Sequence, residues 1–177
     1  GKFIITWADF RNGYCYDIYA QLFSNDATPI GNNFEVNNIS ACMNFNPVVV
    51  FKKNGDFIIT WSDADEGSFD KENIQHLDKK KIQDIIMNNK SKSSEPDVYF
   101  QQYSNDGTPM GGNVLVNDDI MNTYQSYPAI AIDTNDNFII AWQDTRNGPY
   151  HIYLQRYLSR GSPTGENSRA GVESFLS

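Results

Sequence analysis

Gly55-Asp56-Phe57-Ile58-Ile59-Thr60-Trp61-Ser62-Asp63 is the stretch on which the fold reading turns, because the chain contains it three times. It is preceded by Gly1-Lys2-Phe3-Ile4-Ile5-Thr6-Trp7-Ala8-Asp9 and followed by Asp136-Asn137-Phe138-Ile139-Ile140-Ala141-Trp142-Gln143-Asp144. Two further blocks recur downstream in the same order. Asp17-Ile18-Tyr19-Ala20-Gln21 matches Asp97-Val98-Tyr99-Phe100-Gln101 and His151-Ile152-Tyr153-Leu154-Gln155, and Ser24-Asn25-Asp26-Ala27-Thr28-Pro29-Ile30-Gly31 matches Ser104-Asn105-Asp106-Gly107-Thr108-Pro109-Met110-Gly111. A blurred third copy of the last block reads Gly161-Ser162-Pro163-Thr164-Gly165. The offset is 54 residues from Gly1 to Gly55 and again from Gln101 to Gln155, but 81 from Gly55 to Asp136, so the middle copy carries about 27 extra residues. Blocks repeated in fixed order at a fixed period are the signature of a repeat architecture.

Each unit reads as four short strands. Pro47 to Phe51 and Phe57 to Trp61 flank Lys53-Asn54-Gly55-Asp56, and Asn-Gly between apolar runs is a strong hairpin signal. Asp97 to Ser104 and Val114 to Asn117 form a second hairpin around Thr108 to Gly111. The first strand is apolar throughout and is expected to be innermost and covered on both faces, with the third strand further out. Four-stranded units of this length predict an all-β, β-propeller-like array of about three incomplete blades, which hides its sheet edges by closing a ring. A β-solenoid would need shorter rungs, and an immunoglobulin-like array roughly 90 to 100 residues per unit. The expected division of this single repeat domain is a partial unit over residues 1–46, a full unit over 47–127 and a partial unit over 128–177. Three such units do not close a ring, which predicts either a piece of a larger ring or copies that complete one another. The tail after Gly165 matches the fourth strand poorly.

Aromatic residues make up 14% of the 177, and the formal net charge is −8. The acidic balance excludes a nucleic-acid groove, which must be basic, and no apolar run reaches the roughly 20 residues of a membrane-spanning helix. The start at Gly1, without an initiator Met or a signal peptide, reads as a chain processed or excised from a longer one. The pattern F-I-I-T-W-x-D-x-R-N-G, then D-I-Y-A-Q, then D-G-T-P-x-G resembles a repeat of large secreted and cell-surface bacterial proteins. That resemblance, over residues 1 to about 160, implies propeller architecture and an extracellular or cell-surface location, and it implies no particular activity. Thr134-Asn135-Asp136-Asn137 is also faintly similar to a sialidase Asp-box, a turn-stabilising feature away from catalytic centres.

In a propeller the loops after the second and fourth strands share one face, the expected site of function. Trp7, Asp9 and Arg11 recur there as Trp142, Asp144 and Arg146, with Asp65 at the arginine position of the middle copy. One reading is recognition of a sugar or carboxylate by the Trp face and the Arg fork. The other is a turn brace, and recurrence in every unit favours the brace. Unit-specific candidates are Phe45 and Asn46, and Tyr124, Gln125 and Tyr127, which set aromatics among amides as sugar-binding loops do. The insertion, residues 68–94, has Ile74, Leu77, Ile82, Ile85 and Ile86 at helical spacing and reads as a helix that caps its own blade, closes as a lid or docks a partner. Cys15 and Cys42 fall on the same face, as a disulfide or as two thiols.

Neither a zinc spacing, nor a Gly-x-Ser-x-Gly elbow, nor a phosphate loop occurs. Calcium is a candidate at Asp133, Asn135 and Asn137, although no EF-hand is completed. The sequence therefore predicts a non-catalytic binding or assembly module whose partner is a glycan, a protein or another copy of itself. The alternative is part of a polysaccharide hydrolase or lyase of sialidase-like form.

Overall fold

The computed structural model describes residues 1–13, 15–38, 43–64, 81, 95–119 and 123–171. Asn54-Gly55, with Gly55 at φ 88°, turns the chain between two apolar runs, and Ser104-Asn105-Asp106-Gly107, with Gly107 at φ 91°, does so again. Side-chain oxygens fasten these turns: Asn54 Oδ1 accepts from Asp56 N at 3.1 Å, Asp106 Oδ1 from Thr108 N at 3.0 Å and Asp133 Oδ1 from Asn137 N at 2.9 Å. Short turns of this kind force successive strands to pair as antiparallel neighbours. The result is three meanders. Strands β1 (Lys2–Asp9), β2 (Asp17–Ser24) and β3 (Pro29–Glu35) form the first sheet. The second contains β4 (Met43–Phe51), β5 (Phe57–Ala64), β6 (Asp97–Tyr103) and the two-residue β7 (Val114–Leu115). The third contains β8 (Gln125–Ile132), β9 (Phe138–Asp144), β10 (His151–Tyr157) and β11 (Pro163–Arg169). The poorly matching tail after Gly165 thus completes an outer strand as far as Arg169. The expected helix over 68–94 lies outside the described residues, apart from Lys81.

The middle sheet is packed on both sides. On one face Phe57, Ile59, Trp61 and Tyr103 meet Ile18, Ala20, Leu22 and Val36 of the first sheet. On the other, Ile58, Val98, Phe100 and Val116 meet Phe138, Ile140, Trp142, Tyr153 and Tyr157 of the third. The two interfaces use corresponding positions of the repeat, so the sheets stack head to tail. Each sheet also carries the same ring pairs across the second and third strands of its unit, β1–β2, β5–β6 and β9–β10. Phe3–Phe23, Phe57–Tyr103 and Phe138–Tyr157 stack with centroids 5.3, 5.1 and 4.8 Å apart, and Trp7–Tyr19, Trp61–Tyr99 and Trp142–Tyr153 lie 6.4, 6.2 and 6.4 Å apart.

A polar clamp accompanies each interface. Asn113 Nδ2 donates to the Val36 carbonyl at 3.3 Å while its Oδ1 accepts from Asn38 N at 2.8 Å. Asn167 does the same to Val116 O at 3.3 Å and Asp118 N at 2.9 Å. At the opposite end Lys52, buried between the second and third sheets, donates to Gln102 Oε1 and to the Ser159 carbonyl.

The doubly buried strand is β5, the second of its unit, and not the apolar first strand β4. β4 pairs with β5 on one side and meets only Tyr16 on the other, so it is an edge strand and, apart from buried Asn44, stays half-buried. Continuous apolar sequence marks contact with several neighbours, which an edge beside two other sheets supplies as well as a covered centre does.

Candidate functional site

The registers place the two kinds of connection at opposite ends of the sheets. Met43, Ala64, Asp97, Gln125, Asp144 and His151 lie at one end, and the hairpin turns lie at the other. The loops after the second and fourth strands of a unit therefore do share an end, the loop end.

The repeated Trp-x-Asp-x-Arg turn forms the same brace twice. Trp7 Nε1 donates to Asp9 Oδ2 at 2.9 Å, and Arg11 donates from N to Oδ1 at 2.8 Å and from Nε to Oδ2 at 2.9 Å. In the third sheet the corresponding distances are 2.9, 2.8 and 2.9 Å for Trp142, Arg146 and Asp144. The guanidinium carbons lie over Tyr19 and Tyr153, 3.8 and 4.4 Å from the ring centroids. Arg11 also reaches Asn33, and Arg146 reaches Asp118. The Arg11 guanidinium, then the Trp7 indole, hold the Asp9 carboxyl down at about 2. The indole N–H and the arginine N and Nε donors of this motif close its own loop, while the far end of the guanidinium ties that loop to Asn33 or to Asp118. In the middle copy Trp61 Nε1 is buried and finds no hydrogen-bond partner among the described residues, and Asp65 lies outside them.

Apart from Tyr124, which lies just before β8, the unit-specific candidates sit on strands rather than in loops. Phe45 and Asn46 belong to β4, and Gln125 and Tyr127 to β8. Each strand carries a bulge, between Phe45 and Val48 and between Ser126 and Ala129, with Asn46 at φ 54° and Tyr127 at φ 55°. A left-handed residue directly before Pro47 or Pro128 opposes the usual preference of a pre-proline residue, and the ladder resumes beyond it. In β8 the bulge leaves Tyr127 56% exposed while Gln125 and Ser126 are buried. Gln125 Nε2 donates to Asp119 Oδ2 at 3.2 Å and to Thr123 Oγ1, which makes it a loop tether. Ser126 Oγ lies 3.0 Å from Ser62 Oγ and joins the second and third sheets at this end.

Tyr124, half-buried, is stitched to the neighbouring loop by Tyr124 N to Thr145 Oγ1 at 3.0 Å and Thr145 N to Tyr124 O at 3.1 Å. Its ring meets Tyr150 edge to face at 5.7 Å. Burial first, and then the neighbouring Tyr127 and Tyr150, push its phenol pKa upward. The neutral Tyr124 hydroxyl can therefore both donate and accept. Tyr124, Tyr127 and Tyr150 form one tyrosine cluster, with Tyr150 62% exposed. Sequence reading missed Tyr150. Its signal was the repeat itself, since Tyr16 occupies the same place before β2 that Tyr150 occupies before β10. Tyr16 is likewise exposed and packs on Phe10 at 4.8 Å. Tyr16 O accepts from Asn44 N at 3.0 Å, so this second aromatic pair flanks the start of β4.

Among carboxylates at this end, Asp97 is shifted upward, by burial first and by Asp119 beside it, against the lowering bond from Asn117 Nδ2 at 2.8 Å. Asp17 receives the same bond from Asn37 at 3.0 Å. His151 stands at this position in the third sheet, where Gly171 replaces the asparagine, so the lock is lost at both positions together. The calcium candidates lie at the turn end: the Asp133 carboxylate accepts from Asn135 N, Asn137 N and Asn137 Nδ2 at 2.7, 2.9 and 3.0 Å. That carboxylate is committed to its turn, and no cluster of three His, Cys, Asp or Glu fit for a metal occurs among the described residues. Cys15 is buried and disulfide-bonded, while Cys42 lies outside the described residues.

No protein-family model and no curated protein matches the chain. Among solved structures the fold is similar to an endo-arabinase from Bacteroides thetaiotaomicron VPI-5482, with a TM-score of 0.52 and 14% sequence identity. The match covers 96% of this chain and 58% of that one, so the chain spans little more than half of the neighbour's length. At that identity the likeness is one of fold alone.

Proposed function

We propose that the chain is a β-propeller-type repeat module of an extracellular or cell-surface protein, and that it binds a glycan at the loop end without catalysing a reaction. The observation that carries this reading is the cluster of Tyr124, Tyr127 and Tyr150, with Tyr127 and Tyr150 more than half exposed beside the Tyr124 ring. Rigid tyrosines offer an apolar ring face and a phenol hydroxyl together, the combination that takes both the C–H face and the hydroxyls of a sugar. The head-to-tail stack of meander sheets supports the propeller form, and the disulfide at Cys15 supports an oxidising compartment. Calorimetric titration with a polysaccharide panel that includes arabinan tests the reading. Binding is expected, weakened about 2- to 10-fold by Tyr127→Ala and by Tyr150→Ala. Absence of binding to every member, or binding that ignores both substitutions, would sink the reading.

A polysaccharide hydrolase is the second reading, favoured by the upward-shifted Asp97 carboxyl, since a general acid needs a raised pKa. Its weight is reduced by the Asn117 bond that Asp97 shares with Asp17 and Asn37, a repeated lock at the start of the third strand. Release of reducing ends from arabinan, abolished by Asp97→Asn, would replace the binding proposal with this one.

A further inference from the structure

Among the described residues, the outer faces of the first and third sheets match the two halves of an interface that the molecule already makes twice. On the first sheet the ring pairs Phe3–Phe23 and Trp7–Tyr19 are assembled as in the other two sheets, with Arg11 over Tyr19 as Arg146 is over Tyr153, yet among the described residues no further sheet packs on them. Phe3 is 38% and Ile5 50% exposed, whereas Phe57 and Ile59, in the same motif, are fully buried. On the third sheet Ile139, Ile152 and Leu154 correspond to Ile58, Val98 and Phe100, which cover the aromatic face of the next sheet. Ile152 is 46% exposed where Val98 is fully buried, and Leu158 at the adjacent turn is 50% exposed.

The shapes correspond as well as the chemistry. At the turn end of the third sheet's outer face lies a groove of about 490 Å³ lined by Ala131, Ile132, Ile139, Arg156, Leu158 and Thr164. The equivalent place on the first sheet, at Leu22 and Phe34, receives the Gly107 turn of the second, and that on the second sheet, at Gln102 and Phe100, receives the Gly161 turn of the third. The first sheet carries the corresponding turn, Ser24 to Thr28, with Ala27 left-handed at φ 66° where the glycines stand. It also carries Asn33 at the position of Asn113 and Asn167, the two interface clamps.

We infer that the chain associates head to tail with a second copy of itself, the aromatic outer face of the first sheet seating on the aliphatic outer face and groove of the third. The occupant is a second copy because the required surface, ring pairs, turn and asparagine together, is present on this chain in the arrangement that its own interfaces use twice. Such a contact is heterologous, so it propagates until a ring closes or a filament forms. It involves the flanks of the stack and not the loop-end tyrosines, and it stands or falls independently of glycan binding.

The test uses the full chain and two single substitutions at half-exposed side chains, Ile5→Asp on one face and Leu158→Asp on the other. Light scattering after size exclusion, across a concentration series, is expected to give the wild-type chain a mass above the 20.1 kDa monomer. Each variant alone is expected to be monomeric and folded by circular dichroism. An equimolar mixture of the two variants retains one intact face of each kind and is expected to form a 1:1 dimer. A monomeric wild type overturns the inference. So does self-association of either variant alone, which would mean like faces pairing, or a mixture that stays monomeric.

Discussion

Single side chains decide how the loop end is held. Asp9 accepts from the Trp7 indole and from Arg11, and these bonds to the charged form lower its pKa from 3.8 to about 2. A carboxylate with a depressed folded-state pKa contributes stability that is complete above its unfolded value and is lost as pH falls through the folded value. The urea midpoint of the wild type should therefore exceed that of Asp9→Asn by a constant margin above about pH 4, and the margin should close as pH falls toward about 2. A margin that persists unchanged at pH 2 would show that the carboxylate's charge is not what holds the turn. The brace was legible in sequence, because a Trp-x-Asp-x-Arg turn that recurs at one position marks upkeep of the repeat unit. The clamps were not. Asn113 and Asn167 recur at one position too, but they lie among many other asparagines, and their partners, Val36 O and Val116 O, are main-chain atoms of another sheet.

At the scale of strands, identical sequence meets different surroundings. Phe-Ile-Ile-Thr-Trp occurs at residues 3–7 in β1 and 57–61 in β5. β5 lies between two sheets and is buried along nearly all its length, while β1 is covered on one face only among the described residues. Ile59→Ala should cost about 2–5 kcal/mol, as buried aliphatic truncations do. Ile5→Ala should cost less than about 1 kcal/mol, because half of that side chain already faces water. Chemical denaturation of both variants, at a concentration where the chain is monomeric, measures the contrast directly, and equal costs would refute the sheet order. Strand existence, the hairpin turns and their order were readable from block recurrence and Asn-Gly or Asp-Gly signals. The extension of β4 and β8 past Pro47 and Pro128 was not. Proline reads as a boundary, and only a bulge with left-handed Asn46 and Tyr127 carries the ladder through it.

For the molecule as a whole, stability is concentrated in the middle sheet. β5 is hydrogen-bonded on both edges and covered on both faces, whereas among the described residues the outer sheets are each covered on one face. Hydrogen exchange followed by mass spectrometry should show β5 and β6 amides exchanging last and those of β1 and β11 earlier. Uniform protection would instead indicate that the three sheets open together. The sequence by itself determined the repeat, its strands and turns and the braces within each unit, because these depend on residues close together in the chain or on patterns repeated along it. Only the tertiary structure decided which face of each sheet is covered, which tyrosines gather at the loop end, and that two complementary apolar flanks meet no other sheet among the described residues. Those outcomes depend on which sheet neighbours which, and copies of one motif carry the same local code whether a neighbour covers them or water does.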